Sequence, residues 1–285
     1  MYEQFFGLRE KPFNLTPDPH FLYLSTVHRE AIDHLYYGLV RGEGFICIYG
    51  EVGVGKTTIC REILRMLDER FVVSYVLNPF LTEKELLRTI LGDFGVEVPG
   101  KGTKKDLMDA LERFLLRCAD EGRNPVVIID EAQNLSPALL EQIRVISNFE
   151  GNKRKLIQIV FVGQKELREM LAKRGLRQLN QRITVRYEIE PLTREETARY
   201  IHHRLVKAGS RGDLVFSERA VKRIHRKSSG IPRLINVLAD RALLSAYVRN
   251  SFLVDVRDVK EGEKSLGEAD GLFPKRRGLL AFLTG

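Results

Sequence analysis

The chain has 285 residues, 44% of them hydrophobic and 29% charged, with a formal net charge of +8. That length accommodates one large or two modest domains with cores of their own, and the uninterrupted apolar runs are only of strand length, which excludes an internal membrane span. The amino terminus, Met1-Tyr2-Glu3-Gln4-Phe5-Phe6, has neither the basic region nor the long apolar stretch of a signal peptide, so the expected location is the cytoplasm. The charge is uneven. Residues 1–190 hold 27 Lys+Arg against 27 Asp+Glu, whereas residues 191–285 hold 19 against 11. A basic last third can meet nucleic acid, anionic lipid or an acidic protein, or can simply be a solvated face. The three cysteines, Cys47, Cys60 and Cys118, are odd in number, lack metal-ligand spacing and sit in strand or helix patterns, so disulfides are not expected.

In chain order, residues 1–24 are rich in proline and aromatics and show neither helical nor alternating period. Phe5, Phe6, Phe13 and Phe21 are costly to leave in water and are expected to pack onto the domain as an extended clasp. Ser25 or Thr26 caps a helix from Val27 to Val40, with Ile32, Leu35, Tyr36 and Leu39 at helical spacing. A short apolar strand, Phe45 to Tyr49, then runs straight into Gly50-Glu51-Val52-Gly53-Val54-Gly55-Lys56-Thr57-Thr58.

This loop matches G-x-x-x-x-G-K-[ST] at every fixed position. Gly50, Gly53 and Gly55 let successive backbone N–H groups converge on an anion, because glycine reaches positive φ and has no side chain to block the approach. The helix beginning near Lys56 aims its positive end at a β-phosphate, Lys56 can reach the β and γ oxygens, and the Thr57 hydroxyl can ligate Mg²⁺. A nucleoside triphosphate with magnesium is the expected ligand.

After a helix to about Glu69 come a strand from Phe71 to Leu77 and two helices, Thr82 to Phe94 and Thr103 to Asp120, the first opening on the capping box Thr82-Glu83-Lys84-Glu85. Pro125 to Ile129 is the continuous apolar run of a parallel strand buried on both faces, and Asp130-Glu131 closes it. Asp130 can hold Mg²⁺ through its water shell, and Glu131 can orient and deprotonate an attacking water. A helix from Pro137 to about Phe149, a strand from Leu156 to Val162 and a fifth strand near Ile183 to Ile189 complete an α/β alternation that indicates a parallel sheet covered on both faces. Gln164, just past the fourth strand, can hydrogen-bond the γ-phosphate or the attacking water; a plain helix cap is its other reading. Arg182, before the last strand, is placed to face a neighbouring subunit, and Arg233 opens a later helix; either can neutralise transition-state charge or serve as a surface ion pair.

From Pro191 the strand signal stops, and Thr193 to Lys207, Ser217 to Lys227 and Pro232 to Arg249 are three successive helices of a small all-α domain. Residues 262–274 turn polar and glycine-rich, as in a linker.

The phosphate loop, Val126-Val127-Ile128-Ile129-Asp130-Glu131-Ala132-Gln133-Asn134-Leu135, Val162-Gly163-Gln164, Gln181-Arg182-Ile183 and Ser229-Gly230-Ile231-Pro232-Arg233 together resemble the AAA+ ATPases. The opening string MYEQFFGLREKPFNLTPDPHFLYLSTVHREAI is similar to the ExeA-type ATPases, the general secretion pathway protein A family, over roughly residues 1–262. The resemblance implies a P-loop AAA+ parallel five-stranded sheet of order 5-1-4-3-2 flanked by helices and followed by a helical lid. The expected division is a clasp at 1–24, an ATPase domain at 25–190, a lid at 191–262, and a linker with a short basic and apolar tail at 263–285. It also implies ATP over GTP, Gln164 as sensor 1, Arg182 as a finger acting in trans with Arg177 as the alternative, and Arg233 as sensor 2.

Long members of the family continue through a transmembrane helix into a periplasmic peptidoglycan-binding domain. Here Lys275-Arg276-Arg277 precedes only Gly278-Leu279-Leu280-Ala281-Phe282-Leu283, short of the ~20 residues a span requires. The expectation is therefore either a truncated form of a membrane-anchored member or a short relative, cytoplasmic or peripheral, that contacts the inner-membrane surface through this tail. The leading functional expectation is an ATPase that oligomerises as a dimer or ring and drives assembly of an envelope secretion, pilus or exopolysaccharide export machine. The alternative is a nucleotide-gated DNA-binding adaptor resembling AAA+ transposition ATPases, with Arg219, Lys222, Arg223, Arg226 and Lys227 on one lid helix; nucleic acid is the less favoured partner. A third reading, nucleotide as a static structural ligand, is weakened by Glu131.

Overall fold

The computed structural model describes residues 2–16, 18–98, 100, 102–150 and 155–266. They divide into two compact units: Thr26–Glu190, and the residues up to Ser25 together with those from Pro191 onward. The tail at Lys275–Leu283 lies outside the described residues.

The chain begins with a single helical turn, α1 (Tyr2–Phe5), which belongs to the second unit. The first unit then follows as α2 (Thr26–Arg41), β1 (Phe45–Gly50), α3 (Lys56–Met66), β2 (Phe71–Val76), α4 (Glu83–Asp93), α5 (Lys104–Asp120), β3 (Asn124–Ile129), α6 (Pro137–Ile146), β4 (Gln158–Gly163), α7 (Lys165–Leu171), α8 (Arg177–Arg182) and β5 (Val185–Ile189). The five strands are all parallel in the order β2-β3-β4-β1-β5, the 5-1-4-3-2 arrangement that the family resemblance implies.

Burial on both faces explains why the central strands β1, β3 and β4 are apolar along nearly their whole length. Phe45, Cys47, Val127, Ile129, Ile159 and Phe161 join one core with α4, α5 and α6. Ile46, Ile48, Ile128, Val160 and Val162 have the opposite parity and are equally buried. On that face α2 comes so close to β1 that a Cβ on Gly38 would lie 2.8 Å from Ile46 Cδ1. Reciprocal capping boxes start α4 at Thr82 and Glu85 and α5 at Thr103 and Asp106. Ser136 caps α6, with Pro137 at the first helical position. Several element ends differ from the sequence reading, α6 stopping at Ile146 and β5 starting at Val185 among them. The helix after the phosphate loop stops at Met66 because Leu67 turns extended, and the fourth strand begins at Gln158, whose amide donates to the carbonyls of Leu39 and Glu43, both at 3.1 Å.

The second unit contains α9 (Arg194–Lys207), β6 (Val215–Phe216), α10 (Glu218–Ser228), α11 (Pro232–Val248), β7 (Leu253–Val254) and α12 (Val256–Leu266). The parallel pair of β6 with β7 and the fourth helix, α12, correct the three-helix reading. α12 continues to Leu266, into the stretch assigned to the linker. Polar side chains hid it: Asp258 is buried yet takes a 2.6 Å ion pair from Arg249 at the end of α11, and Gly262 lies where a Cβ would come within 2.9 Å of Arg241. Leu266, the last residue of the helix, is buried with the core.

The aromatic segment up to Ser25 packs into this helical unit. Tyr2, Phe6, Leu8, Phe13 and Phe21 share a core with Tyr200, Ile201, Leu205, Phe216 and the apolar face of α11. Arg204 holds the segment: buried, it donates to the carbonyls of Pro12 and Asn14 and to the Tyr200 hydroxyl, and its guanidinium lies 4.6 Å from the centre of the Phe21 ring.

Candidate active site

The loop between β1 and α3 crosses the C-terminal edge of the sheet. Gly53 and Gly55 adopt φ 84° and 105°, values that carry a steric penalty for other residues. Gly50 sits so close to β5 that a Cβ would lie 2.6 Å from the Ile189 carbonyl oxygen. Gly55 occupies the N-cap position of α3 with no side-chain cap, which leaves the first N–H groups of the helix available to an anion. Glu51 and the half-exposed Val52 form the outer part of the loop, whereas Val54 is buried. Thr58 follows Thr57 in the first turn of α3.

Lys56 is only 6% exposed and donates from Nζ to the carbonyls of Gly50 at 2.9 Å and Glu51 at 3.0 Å. Burial pulls its pKa below the ordinary lysine value, with the carboxylates of Glu131 and Asp130 acting in the opposite sense. The ammonium thus lies across its own loop. Thr57 Oγ1 donates to Asp130 Oδ2 at 3.0 Å. A hydroxyl and a carboxylate held together are hard oxygen donors of the type that Mg²⁺ takes, so this pair fits the ion.

Asp130 directly follows β3, and its N–H bonds to the Val76 carbonyl at 3.0 Å. The next residue leaves the strand abruptly. Glu131 has φ 51° and ψ 37°, a left-handed conformation that costs a non-glycine residue roughly 1–2 kcal/mol. Its N–H donates to Asp130 Oδ1 at 2.9 Å, and a 3₁₀ turn, Ala132–Asn134, follows. The bend brings Glu131 Oε2 to two amides, Gln133 Nε2 at 2.5 Å and Gln164 Nε2 at 3.1 Å. Gln164 occupies the N-cap position of α7 without capping it through its side chain. Its own N–H donates to Gln133 Oε1 at 3.0 Å, and Gly163 makes room, since a Cβ there would lie 2.8 Å from that oxygen.

Lys56, Thr57, Asp130, Glu131 and Gln164 therefore converge from the ends of β1, β3 and β4. Within the sheet unit, Arg182 and Arg177 do not join this cluster. Arg182 donates from Nη1 to Ser147 Oγ at 3.0 Å and Asn148 Oδ1 at 2.6 Å, at the end of α6. Arg177 is exposed at the start of α8; its N–H donates to the Arg174 carbonyl, and among the described residues its side chain makes no hydrogen bond or ion pair. Arg233 is exposed in the first turn of α11, in the other unit, after a tight turn in which a Cβ on Gly230 would lie 2.1 Å from the Leu192 carbonyl oxygen.

Three participants escaped the sequence reading. Gln133 joins Glu131 to Gln164. Tyr75 donates its hydroxyl to Asp130 Oδ2 at 3.0 Å, and His28 Nε2 lies 2.8 Å from the Val54 carbonyl oxygen beneath the phosphate loop. Only Gln133 carried a signal, its position two residues past Glu131; a lone tyrosine in a strand and a lone histidine in a helix carry none.

Residues 40–171 match the AAA domain family. Over 259 residues the chain is 44% identical to general secretion pathway protein A of Aeromonas hydrophila, covering 91% of this chain and 47% of that protein. The chain thus spans about half the length of that relative. Among solved structures, the Aeropyrum pernix ORC2 protein in its ADPNP–ADP complexes aligns with a TM-score of 0.64 at 19% identity, covering 90% of this chain and 71% of that one. The Aeropyrum pernix ORC1 protein in complex with DNA aligns with a TM-score of 0.64 at 21% identity, covering 90% and 69%. At such identities the likeness is one of fold.

Proposed function

Since the chain belongs to the AAA+ ATPases of the general secretion pathway protein A type, we propose that it binds ATP with Mg²⁺, hydrolyses the β–γ phosphoanhydride, and couples this cycle to oligomerisation in assembling a bacterial envelope secretion, pilus or exopolysaccharide export machine. The observation that carries the chemistry is the convergence of Lys56, Thr57, Asp130, Glu131 and Gln164 at one sheet edge.

In this reading the N–H groups of Gly50–Thr58 and the Lys56 ammonium hold the phosphates, exchanging the Gly50 and Glu51 carbonyls for phosphate oxygens. Thr57 and Asp130 hold Mg²⁺, which when bound supplies charge neutralisation on the phosphate oxygens. Glu131 takes a proton from water as the water oxygen bonds to the γ-phosphorus. The bond from that phosphorus to the bridging oxygen breaks, and ADP leaves with the electron pair. Gln164 orients the water together with Glu131, and Gln133 keeps their side chains in register. Arg233 acts as sensor 2 from the helical unit, and an arginine of α8 reaches the phosphates of a neighbouring subunit. Arg177 is unengaged, whereas Arg182 would first have to release Ser147 and Asn148.

Steady-state ATP hydrolysis against protein concentration, for the wild type, Arg177→Ala and Arg182→Ala, tests this reading. Specific activity that rises with concentration and collapses in one of the variants is the expected result. Activity independent of both concentration and either arginine would overturn the trans mechanism.

A DNA-binding adaptor is the second reading, favoured by the basic α10. Its charge is partly spent within the chain, because Glu263 pairs with Arg223 at 2.6 Å and with Lys227 at 3.4 Å. Arg219, Lys222 and Arg226 remain exposed at helical spacing. Duplex affinity that falls steeply with salt and is lost in the triple alanine variant would favour the adaptor; no binding at moderate salt would remove it.

A further inference from the structure

The geometry points to Tyr75 as a positioning residue for Mg²⁺, acting through Asp130; the inference rests on the proposed nucleotide site. Asp130 is 4% exposed and receives three donors within the chain. Thr57 Oγ1 and Tyr75 Oη both donate to Oδ2 at 3.0 Å, and the Glu131 N–H donates to Oδ1 at 2.9 Å. Thr57 and Glu131 belong to the two nucleotide motifs. Tyr75 belongs to neither.

Its position follows from the sheet. β2 pairs with β3 in parallel register, Tyr75 opposite Ile128 and Val76 opposite Ile129, so Tyr75 stands one step short of the strand end that presents Asp130. Ser74 and Val76 are buried, and the pleat sends Tyr75 to the opposite face, that of α3 and Thr57. β2 is an edge strand, and its outer N–H groups need partners. Asp93 at the end of α4 supplies one, accepting from the Tyr75 N–H at 3.2 Å and from Ser74 Oγ at 2.7 Å. A chain of contacts thus runs Asp93, Tyr75, Asp130, Thr57.

Phenylalanine would serve burial on this face equally well, so the hydroxyl marks a polar task. A carboxylate that must orient a metal or its waters gains from having one lone pair permanently engaged, because its rotation about χ2 is then removed. Outer partners of this kind typically change metal affinity by 10–100-fold. Tyr75 therefore sets the orientation of Asp130, and with it the Mg²⁺ dependence of nucleotide binding, without touching nucleotide.

The test is Tyr75→Phe, which deletes one oxygen and keeps the ring. A non-hydrolysable ATP analogue is titrated calorimetrically, first in excess chelator and then over a series of Mg²⁺ concentrations. We expect chelator-phase affinity like the wild type's and a Mg²⁺ midpoint raised about tenfold or more. An unmoved midpoint overturns the role, including when Tm falls, since that combination makes Tyr75 a packing residue only. Failure of the wild type to bind the analogue under any condition would instead overturn the nucleotide site itself. A parallel Asp93→Asn variant, which weakens the anchor of β2, should move the midpoint in the same direction by a smaller factor.

Discussion

Each unit buries a cation that has no carboxylate within hydrogen-bonding distance among the described residues, and the two cations do opposite things. Lys56 in the sheet unit and Arg204 in the helical unit are both 6% exposed, and both donate to main-chain carbonyls. Arg204 is closed on all sides, with the Pro12 and Asn14 carbonyls and the Tyr200 hydroxyl at its nitrogens and the Phe21 ring against its face. Lys56 uses two of its three protons, and its loop is built of glycines that open backbone N–H groups toward the same space. Burial of charge alone therefore does not mark a site. A donor left over at a sheet edge does; a donor set fully consumed marks a staple.

Glu131→Gln should break the comparison on the functional side most strongly. Turnover is expected to fall roughly 10²–10⁴-fold while ATP binding survives, because the amide keeps the shape and loses the base. Equilibrium binding beside single-turnover hydrolysis checks this, and unchanged turnover would remove Glu131 from the chemistry. On the structural side, Arg204→Met leaves the buried Pro12 carbonyl without a donor and should cost about 2–3 kcal/mol in thermal or urea unfolding. Proteolysis of the chain before Ser25 should rise with it; a wild-type melt would show that aromatic packing alone holds the segment.

A second charge in the helical unit sharpens the contrast through pH. Burial by itself would push the Asp258 carboxyl up, but hydrogen bonds from Arg249, the Asp255 N–H and Ser245 outweigh it and hold it below the usual aspartate value. A carboxylate with a depressed folded pKa contributes stability that is complete above its unfolded pKa and is lost as pH falls through the folded one. Melts recorded from about pH 6 downward should therefore show Asp258→Asn losing the acid-side slope that the wild type has below about pH 4. At neutral pH, removing the buried carboxylate from a pair whose arginine is partly exposed should cost about 3 kcal/mol at most.

Smaller effects follow at the periphery. Thr193 caps α9, accepting from the Glu196 N–H, so Thr193→Ala should destabilise by about 1 kcal/mol and leave nucleotide binding alone. The smallest expected effect is none. The three cysteines are free and buried, and burial pushes Cys47 and Cys60 up to about 12. Native protein at pH 8 should resist a maleimide that labels all three thiols in denaturant, and rapid native labelling would contradict their packing.

What the sequence by itself determined is the part written in short, contiguous codes. Gly50–Thr57 and the apolar run into Asp130-Glu131 specify their local structures, because glycine conformations, continuous strand burial and a carboxylate at a strand end are each dictated by neighbours in the chain. Resemblance added the strand order, which periodicity does not encode. Tertiary structure alone decided the rest. Tyr75 and His28 reach the site only because the sheet and α2 bring distant residues within about 3 Å of Asp130 and Val54. α12 was missed because its buried face carries Asp258 and Gly262, a charge and a gap that make sense only against Arg249 and Arg241. The aromatic segment's destination was likewise set by Arg204, far along the chain. Local codes predict conformation; which side chains share a hydrogen bond depends on a fold that joins residues with no sequence relation to one another.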